Sequence, residues 1–181
     1  MSDHRNAKSW GRGYVQVYTG KGKGKTTAAL GLTLRAVGAG LKVFFAQFIK
    51  GKFSSEFSAI ERYADQITVK QYGRSCFIRG KPVEADIAAA GEGLQDIRKV
   101  LQSDRYDLVV LDEACLAVHL GLFSADDLLG VIDAAGDRVE IVITGRNAPR
   151  RILDRADLVT EMTEIKHYHH RGVRARKGIE E

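Results

Sequence analysis

The chain has little of what marks a secreted, membrane-spanning or metal-stapled protein. Its 181 residues include only two cysteines, two prolines and one tryptophan. Cys76 and Cys115 share no metal-ligand spacing, and in a chain of this size they read as reduced intracellular thiols. The opening Met1-Ser2-Asp3-His4-Arg5 lacks the apolar core of a signal peptide, and no run approaches the length of a transmembrane helix. There is no internal repeat and no low-complexity segment. These absences set aside the disulfide scaffold, the membrane protein and the repeat array, and make the cytoplasm the expected location.

What is present is ordinary in bulk and informative in arrangement. Hydrophobic residues make up 44% and charged residues 28%, as in a soluble globular chain. The size suits one compact domain with a real core, expected over residues 13–181 behind a loose polar segment at 1–12 that carries Trp10. The net charge of +5 suits an anionic ligand. Much of it sits at the two ends of the chain, so nucleic acid is permitted without being demanded.

Strand-like and helix-like runs alternate along the chain, the pattern of a parallel α/β sheet. An alternating run at Tyr14 to Tyr18 precedes a helix carrying Leu30, Leu34 and Val37 at helical spacing, stopped by Gly38 and Gly40. Val43 to Phe48 is almost wholly apolar, as in a strand buried on both faces. A short helix near Glu56 to Tyr63 leads to a strand at Ile67 to Gln71 and a loop from Gly73 to Pro82. Val83, Ile87, Ala90, Leu94, Ile97 and Leu101 then recur at three- and four-residue steps, predicting the longest helix. Further strands are predicted at Leu108 to Leu111, Val139 to Thr144 and Leu158 to Met162. Ser124 with Asp127 is a capping pair for a helix through Leu128, Val131 and Ile132, and Pro149 falls in the first turn of another. About six strands with intervening helices predict a three-layer α/β fold with a central, mostly parallel sheet, and the glycine-rich loop described next makes the P-loop NTPase-like kind the expectation.

The chemistry concentrates at the carboxyl ends of those strands, where such sheets bind ligands. After the first strand comes Thr19-Gly20-Lys21-Gly22-Lys23-Gly24-Lys25-Thr26-Thr27, directly before a helix. Strand, glycine-rich loop and helix are the context of a phosphate-binding loop. Glycines let successive N–H groups face one anion, and the helix N-terminus adds partial positive charge. Lys25 can reach phosphate, and the Thr26 hydroxyl is placed to ligate Mg²⁺. The spacing is shifted: the strict G-x-x-x-x-G-K-T pattern needs glycine where Thr19 stands. A dinucleotide G-x-G-x-x-G fails because Lys25 occupies the place of its last glycine.

Asp112-Glu113, after an apolar strand, reads as the acidic partner of that loop, holding Mg²⁺ directly or through water. The residue pattern leaves open which carboxylate does so, and whether Glu113 instead orients an attacking water; that is the fork between a transferase and an ATP hydrolase. Arg146 is either a phosphate contact or a solvated loop arginine. His167, His169 and His170 match no common zinc spacing, and His169 and His170 are expected in structural or exposed roles. His119 is expected to be a satisfied core histidine.

Several blocks taken together resemble one family. They are Tyr18 to Ala29, Arg35-Ala36-Val37-Gly38, Gln47-Phe48-Ile49-Lys50-Gly51, Leu111-Asp112-Glu113, Ile143-Thr144-Gly145-Arg146, Ile165-Lys166-His167 and Gly178-Ile179. In this order and spacing, from about Gly13 onward, the chain resembles the phosphate-loop type of ATP:corrinoid adenosyltransferase. The resemblance implies transfer of the 5′-deoxyadenosyl group of ATP to the Co(I) of a reduced corrinoid, with release of tripolyphosphate. Carried over, Gly20, Gly22, Gly24, Lys25, Thr26 and Thr27, with Lys21 and Lys23 beside them, would hold ATP. Thr26 and Glu113 would ligate Mg²⁺, with Lys25 and Glu113 as the catalytic pair, and Phe77, Arg146 and His167 would meet corrinoid or ATP. The implied partners are cobinamide, cobyrinic acid diamide or cobalamin, a reductase supplying Co(I), and a second copy in a homodimer, with neither membrane nor nucleic acid. Two features depart from the family pattern: the segment before Gly13 is short for a lid, and the loop Gly73 to Ile78 lacks the Phe-x-Trp pair that helps strip the lower ligand from cobalt. The alternatives are a P-loop ATPase, one acting on nucleic acid included, and a non-enzymatic nucleotide-binding module.

Overall fold

A computed structural model describes residues 11–49, 55–74, 78 and 80–180. Its centre is a six-stranded sheet in the order β3-β2-β4-β5-β1-β6. The strands are β1 Val15–Thr19, β2 Val43–Phe48, β3 Ile67–Tyr72, β4 Leu108–Asp112, β5 Glu140–Thr144 and β6 Leu158–Glu161. Every pairing is parallel. The helices are α1 Lys25–Gly38, α2 Ser55–Ile60, α3 Glu84–Leu101, α4 Ala114–His119, α5 Ala125–Ile132 and α6 Arg150–Arg155.

Sequence explains why the inner strands lie where they do. All residues of β2 and β4 are buried, as expected when helices cover both faces of a parallel sheet. Period-two alternation splits each strand between two cores. Phe44, Ala46 and Phe48 of β2 join Val109 and Leu111 of β4 against Leu94 and Ile97 of α3 and Leu128 and Ile132 of α5. Val43 and Phe45 turn the other way, with Val110 and Val142, onto Ala29, Ala36 and Val37 of α1 and Phe57 of α2. Each fully buried Leu, Ile or Phe contributes about 1.5–3 kcal/mol, so these two layers hold the sandwich. The expected α/β three-layer architecture is present, with the sheet wholly rather than mostly parallel.

Four sequence expectations are corrected. In α1 the buried face is Ala29, Thr33, Ala36 and Val37, whereas Leu34 is 49% exposed. Small residues let this helix lie close to the sheet, and the larger leucines fall beside that contact. In α3 the stripe is buried from Ala90 to Leu101, while Val83 at the N-cap and Ile87 near the start are exposed, ahead of the point where Gly93 meets Tyr72 and Phe48. His119, at the last turn of α4, is exposed rather than in the core. The capping box at Ser124 is present: its Oγ accepts from the Asp127 N–H at 3.0 Å, and the Asp127 carboxylate accepts from the Ser124 N–H at 2.8 Å. The six-residue helix α6 starts after Pro149, which is its N-cap rather than part of its first turn, and the fixed φ of proline suits that boundary.

Candidate active site

Because all six strands run the same way, their carboxyl ends share one rim. The loop after β1 runs into α1 and packs on the end of β6. The Gly22 N–H donates to the Met162 carbonyl at 2.7 Å, and the Met162 N–H donates to Thr19 O at 2.9 Å. A Cβ on Gly20 would stand 2.4 Å from Met162 O, and one on Gly22 2.7 Å from it, so no larger residue fits this approach. Thr19 itself closes β1, is buried, and accepts on Oγ1 from the Ala148 N–H at 3.4 Å.

Lys25 is 7% exposed, and its ammonium donates to the carbonyls of Gly20 and Gly22, both at 2.8 Å. Those bonds curl the loop around the ammonium. Burial lowers the Lys25 pKa most; Glu113 opposes this, Arg146 adds to it, and Asp112 opposes it. A cation held partly desolvated beside a second cation favours an incoming anion.

Asp112 and Glu113 divide the work that the sequence left joined. Asp112 is fully buried. Its Oδ1 accepts from Thr26 Oγ1 at 2.9 Å and Thr144 Oγ1 at 2.7 Å, and its Oδ2 accepts from Gln47 Nε2 at 2.8 Å. Gln47, also fully buried, in turn accepts from Gln71 Nε2 at 2.8 Å. Asp112 therefore orients Thr26 from beneath. Glu113 leaves the strand through a left-handed turn at φ 59°, rare for a residue with a side chain, and its N–H is held by Thr144 Oγ1 at 3.0 Å. That turn carries Glu113 to the wall of the cavity.

The cavity has a volume of about 630 Å³, within the range that takes a nucleotide-sized ligand. Gly22, Lys23, Gly24, Lys25, Thr26 and Thr27 form one side; Glu113, Arg146 and His167 face them from β4, β5 and the segment after β6. Most site residues expected from sequence are thus brought together. Gly20 and Lys21 are not on the wall: Gly20 holds Lys25 through its carbonyl, and Lys21 is exposed beside it. Arg35 is exposed in the last turn of α1, away from this helix's loop end. Phe77, Lys50, Gly51, Cys76 and Trp10 lie outside the described residues. Sequence reasoning did not assign ligand-facing roles to Ser55 and Glu56 at the start of α2 or to Glu180, all of which line the cavity. For Gly178 and Ile179 the signal was only their place among the resembling blocks. His167 accepts on Nδ1 from the His169 N–H at 3.1 Å, and His170 pairs with Glu164 at 2.6 Å. Among the described residues no group of three or more His, Cys, Asp or Glu is arranged to hold a metal ion.

A glycine loop between a strand and a helix, a lysine wrapped in that loop, and a threonine held by a buried strand-end aspartate together define a P-loop NTPase-like protein. Within that class the assignment is specific. Residues 11–180 match the family model described as ATP:corrinoid adenosyltransferase BtuR/CobO/CobP, and the chain belongs to that family. It is 37% identical over 170 residues to the corrinoid adenosyltransferase CobA of Salmonella typhimurium, covering 93% of this chain and 86% of that protein. It is 36% identical to the corrinoid adenosyltransferase of Escherichia coli strain K12, with the same coverage. The corrinoid adenosyltransferase of Pseudomonas aeruginosa is 35% identical over 93% of this chain and 84% of its own length. The chain is therefore an enzyme of corrinoid adenosylation, with ATP as its adenosyl source.

Proposed function

We propose that the enzyme forms a bond between the Co(I) of a reduced corrinoid and the 5′ carbon of ATP, breaking the C5′–O bond and releasing tripolyphosphate. The observation that carries this reading is the single cavity joining Lys25, Thr26 and Thr27 to Glu113 and Arg146. Co(I) is a strong nucleophile, so displacement at carbon needs no general base. The protein's share is to position the reactants and to stabilise the charge collecting on the departing triphosphate. Lys25, the amide of Gly24 and the start of α1 do the second task, while the Gly22 amide is spent on tying the loop to Met162. The electron pair for the new Co–C bond comes from the cobalt, which requires an external donor to keep it as Co(I).

The donor set suits Mg²⁺. Thr26 Oγ1 and the Glu113 carboxylate are hard oxygen ligands on one cavity, with Asp112 fixing Thr26 from behind. Mg²⁺ commonly takes one or two protein oxygens and completes its shell with phosphate and water, so a larger protein cage is not required. Bound there, it would neutralise charge on the triphosphate. No helix among the described residues is long and apolar enough to cross a membrane.

The test is incubation with ATP, Mg²⁺ and chemically reduced cobinamide, cobyrinic acid diamide or cobalamin. Tripolyphosphate and a light-sensitive Co–C product are expected, one for one. Orthophosphate formed at the same rate without corrinoid would overturn the reading in favour of an ATP hydrolase.

A further inference from the structure

The segment after β6 returns across the rim and becomes part of the cavity. His167 begins it, a 3₁₀ turn at Tyr168–Arg171 follows, and Gly178, Ile179 and Glu180 lie on the wall facing the phosphate loop. One bond ties this strap to the loop directly: Lys23 Nζ donates to the Ile179 carbonyl at 2.7 Å. A second set of contacts shapes the strap. Glu180 accepts from the Tyr168 hydroxyl, from Arg176 Nη2 at 3.1 Å, and from the Arg176 N–H at 2.8 Å. The Arg176 guanidinium also lies 5.0 Å from the centre of the Tyr168 ring. Gly178, at φ 76°, makes the turn that brings Ile179 back toward Lys23.

These contacts give Glu180 a job that the sequence does not assign to it, and they fix from behind the Lys23 ammonium that the sequence places beside ATP. A lysine ammonium has three N–H donors, and the Ile179 carbonyl takes one. The other two remain for a ligand in the cavity that Lys23 lines. The carboxylate of Glu180 would repel a polyphosphate if it stood free. Instead Arg176 and Tyr168 hold it, and the same contacts lower its pKa to about 2.

We propose that Glu180 is a positioning residue: by clasping Arg176 and Tyr168 it fixes the Ile179 carbonyl, which holds the Lys23 ammonium against the polyphosphate of the substrate. The strap then closes the polyphosphate end of the site, and a bound polyphosphate and a closed strap stabilise each other through Lys23. This rests on the reading of the cavity as the triphosphate site.

Limited trypsin digestion of the full chain tests it, because the strap carries Arg174, Arg176 and Lys177 as cleavage points. Inorganic tripolyphosphate is the probe, with peptide mapping to separate strap cuts from others. In the unaltered protein, saturating tripolyphosphate is expected to slow strap cleavage about tenfold, the equivalent of one charge-assisted hydrogen bond. Glu180→Ala should speed cleavage without ligand, weaken tripolyphosphate binding about tenfold, and raise KM for ATP more than it lowers kcat. Lys23→Met should abolish the protection, and Lys23→Arg should restore it in part. Circular dichroism of each variant checks that the fold is kept. Protection by tripolyphosphate that survives both Glu180→Ala and Lys23→Met, or strap cleavage indifferent to bound tripolyphosphate, overturns the proposal alone. Failure of the unaltered protein to bind either ATP or tripolyphosphate overturns the triphosphate site as well.

Discussion

Lys25 shows how a single side chain can be read from a motif while its chemistry cannot. Its place after Gly24 marks it as a phosphate-loop lysine; that it lies buried under its own loop depends on the fold. Burial is the main cause of its lowered pKa, against an ordinary value near 10.5. The free protein therefore begins to lose the ammonium at a lower pH than an exposed lysine would. A bound triphosphate favours the charged form, so affinity should fall as pH rises through the lowered pKa, approaching tenfold per pH unit. Isothermal titration of ATP from neutral pH up to the ordinary lysine value of 10.5, below which a lowered pKa must lie, reads this limb. A flat profile to the alkaline end would count against Lys25 as the phosphate donor. Asp112 and Glu113 could not be told apart in sequence because neighbours on a strand point to opposite sides, and which side faces the ligand is set by the turn at Glu113. Asp112→Asn puts one amide N–H₂ where three donors converge on a carboxylate. The loss should be about 1–3 kcal/mol of stability together with weaker Mg²⁺-dependent ATP binding. A denaturant midpoint unchanged by the substitution would mean that the Thr26–Asp112–Gln47 network carries no load.

At the level of elements, periodicity located the helices well and their contact faces less well. Large apolar residues drew the stripe of α1 through Leu30 and Leu34, yet Ala29 and Thr33 make the close approach to the sheet. Side-chain size signals hydrophobicity in a sequence, whereas close packing selects small side chains. The same contrast separates two glycines of α3. A Cβ on Gly91 meets nothing within 4 Å. A Cβ on Gly93 would lie 2.6 Å from Tyr72 Cγ and 3.0 Å from Phe48 Cε1, where the helix crosses β3 and β2. Gly91→Ala should therefore stabilise the protein by about 0.5–1 kcal/mol through helix propensity alone. Gly93→Ala gains the same propensity but must push aside a ring packed on Phe48, and should cost a net of about 1–3 kcal/mol. Thermal unfolding of the pair checks the opposite signs. Equal shifts in one direction would show that α3 does not sit on β3 at Gly93 as described.

Over the whole molecule, alternation of strands and helices announced a parallel sheet, but not its order. Strand order depends on which crossovers pack over which face, and no local pattern records that. The strap was hidden for a related reason: the sequence marks Gly178-Ile179 only as one of the resembling blocks, and only the fold brings Ile179 onto Lys23. The order does explain how the site joins the sheet. The phosphate loop is tied to β6 through Gly22 and Met162, to β4 through Thr26 and Asp112, and to the loop after β5 through Thr19 and Ala148. Of these, β6 is the least secure: all four of its residues are exposed, and it pairs only with β1. A ligand seated in the loop braces that edge. At a hundred times Kd, ATP with Mg²⁺ should add about 2.7 kcal/mol, raising Tm by about 5–10 °C for a chain of this size. Lys25→Ala should lose most of that rise. Hydrogen exchange locates the effect, because amides of an edge strand open locally while those of β2 and β4 open only on global unfolding. In native conditions ATP should slow exchange across Leu158–Glu161 and the phosphate loop, beyond any change at β2. Protection at β2 and β4 with none at β6 would mean that the loop and the edge strand are not mechanically joined through Met162.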